Sequence, residues 1–245
     1  MSILAIFAHP DDELFIAPVL SRYARAGVDC HLAIVTDGRY GITSHMNGLA
    51  GDALADLRRE ELQKAAEALS INPPVMLDFE DGFAHKTPDL RTALANMARL
   101  HNEAVRLVNE IRPSVLITFG PDGIYGHPDH TAVSNGVTMA FQAMAPDHPI
   151  QLFYPGICVQ EFPDLFGKNS DAVDRDFYGL DETQLPLKID FSDDDSDAAH
   201  RSLSCHQSQF TQSRIDDMIN LYHRHRHVRF RAWNGVYGGE SDLFA

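Results

Sequence analysis

The chain has 245 residues, 35 of them acidic and 20 basic, for a formal net charge of −15. That length is enough to bury a sizeable α/β core without disulfide staples. The charge argues against non-specific binding to nucleic acid or to an anionic membrane, since both are polyanions gripped mainly by Lys and Arg.

From the N-terminus, short β-type runs alternate with longer helical patterns. Strands are predicted over 3–8, 31–36, 75–79 and 115–119, with a weaker one at 151–154. Helices are predicted over about 12–26, 52–70, 90–111 and 128–144, where apolar residues recur at three- and four-residue spacing. This alternation predicts βαβ units, and so an α/β fold with a mostly parallel sheet flanked by helices over about residues 1–155.

The C-terminal third, about 156–245, is less regular. Its segment 160–197 is rich in Asp, Pro and Gly and ends in the acidic run Ser192-Asp193-Asp194-Asp195-Ser196-Asp197. It reads as a solvated connection with one strand at 187–191, a calcium-type site being the alternative. A last helix is predicted from 198 to about 223, and the alternating His223-Arg224-His225-Arg226-His227 reads as its cationic end. The whole chain, 1–245, is expected to form a single domain.

Cys30, Cys158 and Cys205 form no CxxC and read as reduced thiols. No basic region precedes the short apolar run at the N-terminus, and no apolar stretch approaches the roughly 20 residues of a membrane helix. A cytoplasmic protein acting on a small ligand is expected, and a homo-oligomer is compatible with the sequence.

One local design occurs twice. Residues 7–13 read FAHPDDE and residues 125–130 read YGHPDH, each with His-Pro-Asp after a strand and at the start of a helical pattern. Proline suits the first helical position, and the acids sit where the helix dipole favours negative charge. Both motifs therefore belong at carboxyl ends of parallel strands, where open α/β sheets bind ligands. If the two strands are neighbours where strand order reverses, the motifs meet. They would then bring together His9, Asp11, Asp12, Glu13, His127, Asp129 and His130. Two imidazoles and a carboxylate with an open fourth position suit a catalytic Zn²⁺. A dication would also offset the repulsion among three adjacent acids, with one of Asp11 and Asp12 facing the metal and the other a bound water.

These residues resemble the LmbE-like, or PIG-L, family of zinc-dependent N-acetylglucosamine deacetylases. The resemblance rests on Ala8-His9-Pro10-Asp11-Asp12-Glu13, on Gly120-Pro121-Asp122-Gly123 leading into Gly126-His127-Pro128-Asp129-His130, on Arg58-x-x-Glu61, and on His206-Gln207-Ser208-Gln209. It implies a Rossmann-like fold with His9, Asp12 and His130 as metal ligands and Asp11 as the general base. It further implies that His127 is the charged partner that stabilises the intermediate or protonates the leaving amine, oriented by Asp129, and that the Tyr125 hydroxyl helps polarise the carbonyl. Zn²⁺ is the expected cofactor, with Fe²⁺ or Co²⁺ also suited to the donor set. Arg39 stands where many members carry Glu, which affects sugar preference and leaves the metal site untouched.

On the 52–70 helix, Arg58 and Glu61 fall inside the apolar sector. Arg58 is read as reaching the pocket to grip a substrate hydroxyl or phosphate with Glu61 holding it, or else as half of a structural ion pair. Asp81, at another strand end, is read as binding sugar hydroxyls or as part of an Asp-Gly turn. His206 and Gln209 are read as packing beside the site or as hydrogen-bonded structure. Neither G-x-S-x-G nor G-x-G-x-x-G occurs, so no serine nucleophile or dinucleotide site is expected.

The expected activity is removal of an N-acetyl group from an amino sugar or a glycoconjugate carrying one. An amidase for a larger acyl group and a non-catalytic, metal-stabilised sugar binder are the alternatives. Substrate choice is assigned to loops at 40–52 and 162–180.

Overall fold

Ile3, Leu4, Ala5, Ile6 and Phe7 are apolar without interruption, the pattern of a strand covered on both faces. In the computed structural model, which describes residues 1–41, 43–81, 91–144, 149–159, 179–235 and 241–244, all five are fully buried. They belong to β1 (Ser2–Phe7), which pairs in parallel with β2 (Asp29–Thr36) and β4 (Val115–Ile117). β3 (Val75–Phe79) extends the sheet beyond β2, and β5 (Gln151–Gly156) extends it beyond β4. β6 (Leu187–Asp190) and β7 (His227–Ala232) complete it antiparallel, in the order β3-β2-β1-β4-β5-β7-β6.

Strand order reverses between β1 and β4. The chain moves outward from β1 through β2 and β3, then returns to the other side of β1 for β4 and β5. Loops leaving β1 and β4 diverge there and open a crevice, the place where such sheets bind ligands. FAHPDDE follows β1, and the 120–130 segment follows β4. The sequence expectation that the two motifs meet at this point is met.

Two groups of helices cover the sheet. α1 (Ala17–Arg25), α2 (Asp52–Leu69), α6 (Asp193–Leu203) and α7 (Gln212–His225) pack together, and α3 (Met97–Ile111) packs on α5 (Pro128–Ala143). α4 (Gly123–Gly126) is a single turn before α5. The α3–α5 approach needs Gly136, because a Cβ there would lie 2.6 Å from Leu100 Cδ2. No helix among the described residues is long and apolar enough to cross a membrane.

Several elements differ from expectation. The predicted 12–26 helix is a 3-10 turn, Asp12–Phe15, followed by α1, whose first turn contains Pro18. Proline lacks the N–H that an uninterrupted helix would use there. Pro10 accordingly precedes the turn, whereas Pro128 does open α5. The 90–111 helix begins at Met97, capped by Asn96, and residue 90 lies outside the described residues.

The acidic run is solvated at Ser192, Asp193, Asp194 and Asp197, as expected, but it is no irregular connection. It is the first turn of α6, where Ser192 and Asp195 form a reciprocal capping box and the acids face the positive helix end. The 160–178 part of that predicted connection lies outside the described residues. The single predicted helix from 198 is two, α6 and α7, broken at 204–211 without any Gly or Pro. The supposed cationic helix end includes the start of β7, whose apolar Val228 and Phe230 alternate with His227, Arg229 and Arg231.

Ser192→Ala removes the α6 cap and a partner of buried Asp195. It is expected to destabilise the protein by about 1–2 kcal/mol, read as a lower urea midpoint at unchanged slope.

Candidate active site

Asp11 is the N-cap of the 3-10 turn after β1, with φ 133° and ψ −14°. An L side chain in that region costs about 1–3 kcal/mol and persists only where its surroundings over-determine it. The result is that adjacent carboxylates point to different partners. Asp12 accepts the His9 backbone N–H at 2.6 Å, and its two oxygens lie 3.3 Å from His9 Nδ1 and 3.2 Å from His130 Nε2. Asp11 instead meets the Arg58 guanidinium at 3.0 Å.

The second motif is shaped by α4 and α5. Asp122 caps the turn and is held by Arg231 of β7 at 2.7 Å. His127 caps α5, its Nδ1 accepting the Asp129 N–H at 3.2 Å. The first turn of α5 then buries Asp129 and His130 completely. The His130 ring lies flat on Phe119, centroids 4.0 Å apart and 4° from parallel, and its Nδ1 donates to the Gly123 carbonyl at 3.1 Å. That bond leaves the Nε2 lone pair directed at Asp12. His9 is set in the same way from its other side, where Nε2 donates to Asp129 at 3.4 Å and leaves Nδ1 toward Asp12.

These groups fit a divalent ion. Ligands about 2.0–2.1 Å from a tetrahedral ion are about 3.3 Å from one another, and His9 Nδ1 and His130 Nε2 each come that close to Asp12, through different carboxylate oxygens. His130 Nε2 is buried and makes no hydrogen bond, as expected of an atom kept for a metal. Among the described residues, the groupings whose ligand atoms all lie within 4.8 Å of one another are His9 with His127 and His130, and His9 with Asp81 and Asp129. The His9–Asp12–His130 set is preferred because each imidazole has its other nitrogen engaged by an oxygen, the usual way of fixing a ligating tautomer.

Charge in the cluster follows from burial and proximity. Burial works against ionisation of Asp12, but His130 and His9 outweigh it and hold its pKa well below the usual carboxylate range. Burial likewise lowers His9, while Asp12, Asp129 and Asp81 together raise it well above the ordinary imidazole value. Burial pushes Asp11 up to about 6 against the pull of Arg58. Burial, then the neighbouring His9 and His130, push His127 down to about 3, so it is neutral at physiological pH.

Arg58 lies in the cavity wall as expected, yet its guanidinium is already engaged by Asp11, the Gly38 carbonyl at 2.9 Å and the Pro10 carbonyl. Glu61 does not hold it. Both Glu61 oxygens accept from Ser208, N–H at 2.8 Å and Oγ at 2.6 Å. Asp81 is buried 4.0 Å from His9 Nε2. Tyr125 lines the cavity with its ring 5.1 Å from that of His130.

The cavity measures about 510 Å³. His9, Asp11, Asp12 and His127 lie on it together with Phe210, Met218 and Tyr222. His225, His227 and Arg229 also line it. His225 stands in the last turn of α7, as the cationic helix end expected, whereas His227 and Arg229 belong to β7, whose period-two pattern over 227–232 carries the signal of a strand. Of the two predicted selectivity loops, 40–52 brings Tyr40 and Gly41 to the cavity, and 162–178 lies outside the described residues.

A family model described as "PIG-L: GlcNAc-PI de-N-acetylase" matches residues 4–141, the stretch that carries the whole His–Asp cluster. The 1D-myo-inositol 2-acetamido-2-deoxy-alpha-D-glucopyranoside deacetylase 2 of Catenulispora acidiphila is 34% identical over 146 residues, 53% of this chain and 47% of that protein. The chain spans about half the length of the curated relatives it matches. The solved structure of N,N'-diacetylchitobiose deacetylase from Pyrococcus horikoshii with its inhibitor is similar at TM-score 0.66 and 17% identity, over 96% of this chain and 84% of that one. The 4-carboxy-2-hydroxymuconate hydratase of Pseudomonas putida is similar at TM-score 0.64 and 14% identity, over 95% of each chain. At such identity the likeness is one of fold, and a fold shared with a hydratase leaves the reaction to be argued from the site.

Calorimetric titration of metal-stripped protein is expected to show one Zn²⁺ per chain, lost in Asp12→Ala and His130→Ala with circular dichroism unchanged. Retention in His130→Ala with loss in Asp81→Asn would assign the ion to the Asp81 grouping instead. Affinity is expected to weaken as pH falls, because His9, whose pKa is raised, must shed its proton to ligate.

Proposed function

The chain belongs to the PIG-L family, and on that premise we propose that it is a zinc-dependent hydrolase removing the N-acetyl group from an N-acetylglucosamine-type sugar or glycoconjugate. The observation that carries the reading is the separation of roles at one motif, with Asp12 between two imidazoles and Asp11 turned away toward Arg58. A purely structural metal site has no use for a second carboxylate held beside the ligands in a strained conformation. The curated relatives named as deacetylases of an acetamido-glucopyranoside support the substrate class.

His9, Asp12 and His130 would hold the ion. Zn²⁺ there supplies Lewis acidity, polarising an amide carbonyl and making water acidic enough to act as nucleophile near neutral pH. Asp11 accepts the proton that the attacking water loses. With a pKa of about 6 in the metal-free protein, it is basic enough for that step and acidic enough to pass a proton on to the departing amine. His127 is neutral, and its Nδ1 is occupied by the Asp129 N–H, so its remaining proton is on Nε2. We assign that Nε2–H to the amide oxygen as it gains charge, with the Tyr125 hydroxyl as a second donor. Asp129 acts on His9, accepting from Nε2 and so keeping Nδ1 available. Of the proposed ligand metals Zn²⁺ is preferred, Fe²⁺ and Co²⁺ being compatible with the same donors.

Acetate release from a panel of N-acetylglucosamine derivatives is expected only after Zn²⁺ is restored to stripped protein. Asp11→Asn should lower kcat by about 10²–10⁴-fold with the metal still bound. Activity must rise with pH as Asp11 deprotonates, and a bound cation can only lower its pKa. The acidic limb of kcat/KM is therefore expected at or below about pH 6, and to vanish in Asp11→Asn. No acetate from any derivative, with one Zn²⁺ per chain, would redirect the assignment to an amidase for larger acyl groups.

A further inference from the structure

Two residues in the break between α6 and α7 turn into the protein without a glycine or proline to make them do so. His206 and Ser208 are both fully buried. His206 Nε2 bonds Glu13 Oε1 at 2.5 Å, and Glu13 Oε2 accepts the backbone N–H of Asp11 at 3.2 Å. Two residues on, Ser208 binds both oxygens of Glu61. Glu61 lies one helical turn from Arg58 on α2, and Arg58 reaches the Asp11 carboxylate at 3.0 Å and the Pro10 carbonyl just before it.

The 206–208 segment therefore reaches Asp11 along two routes. One runs through Glu13 to the main chain, and the other runs through α2 to the side chain. Glu13 is a fully buried carboxylate at neither the metal nor the cavity, so packing alone gives no reason for it. Asp11 has a backbone conformation that needs holding, with φ 133°. Both facts are accounted for by one arrangement.

We propose that His206 is a positioning residue that acts through Glu13 to hold the Asp11 backbone in the conformation aiming its carboxylate at the reacting water, with Ser208 and Glu61 steadying the Arg58 side. The proposal rests on the reading of Asp11 as the base. It assigns a role in turnover to a residue 195 positions from Asp11 in the chain, outside the metal set and outside the cavity lining.

His206→Ala is expected to lower kcat by about 10- to 100-fold with KM and zinc stoichiometry unchanged. His206→Gln, whose side-chain amide can still donate to Glu13, should recover most of the loss. In an Asp11→Asn background, His206→Ala should cause no further loss, because the group it positions is already disabled. Equal fold-losses in both backgrounds, or an unchanged kcat in His206→Ala, would overturn the proposal. Should His206→Ala fail to fold, Glu13→Gln carries the same expectation, since one amide oxygen must now serve both donors. A crystal structure of whichever variant folds reads the geometry without activity, and should show Asp11 φ leaving the positive region; Asp11 left unchanged overturns the latch. If wild-type protein releases no acetate, the deacetylase reading fails while that crystallographic comparison still decides the latch.

Discussion

Asp11, Asp12 and Glu13 are consecutive acids carried into the interior at the end of a buried strand, and carboxyl groups so close and so buried are costly unless each has its own polar partner. Each does. Asp12 lies between His9 and His130, Asp11 faces Arg58, and Glu13 bonds His206. Apart from His9, those partners come from α5, from α2 and from the break after α6, so a cluster of three residues gathers elements from most of the chain.

The divergence of the three side chains is what makes the cluster chemically useful. With its positive φ Asp11 faces Arg58, apart from the His9–Asp12–His130 cluster, as the proposed role of base requires. The imidazoles show the same economy, since each has one nitrogen fixed by an oxygen, Asp129 for His9 and the Gly123 carbonyl for His130. The stack of His130 on Phe119 removes the remaining rotational freedom.

What could be read from the residues was local. The five N-terminal strands and the meeting of the two His-Pro-Asp motifs follow from patterns a few residues long. Partnerships set by tertiary structure were not legible. Nothing near Glu61 indicates that its partner is Ser208, and no breaker between 198 and 225 announces that the helix stops to send His206 inward. The acidic run at 192–197 misled because charge density resembles an irregular connection, whereas the Ser192–Asp195 spacing was the capping signal to weigh. The strand at 227–232 was hidden by its histidines and arginines, although its alternation was present.

The place of β7 in the sheet has a consequence for how the molecule is assembled. Because β7 lies between β5 and β6, β6 has no sheet neighbour until the later strand arrives. A chain emerging in order from the ribosome can complete β1 to β5, with every metal-ligand candidate in place, while β6 waits for residues 227–232. β7 also brings Arg231 to the Asp122 turn and His227 to the cavity wall. The cluster formed by the two His-Pro-Asp motifs and the cavity wall that β7 contributes would thus arise at separate times during synthesis, the first before the second.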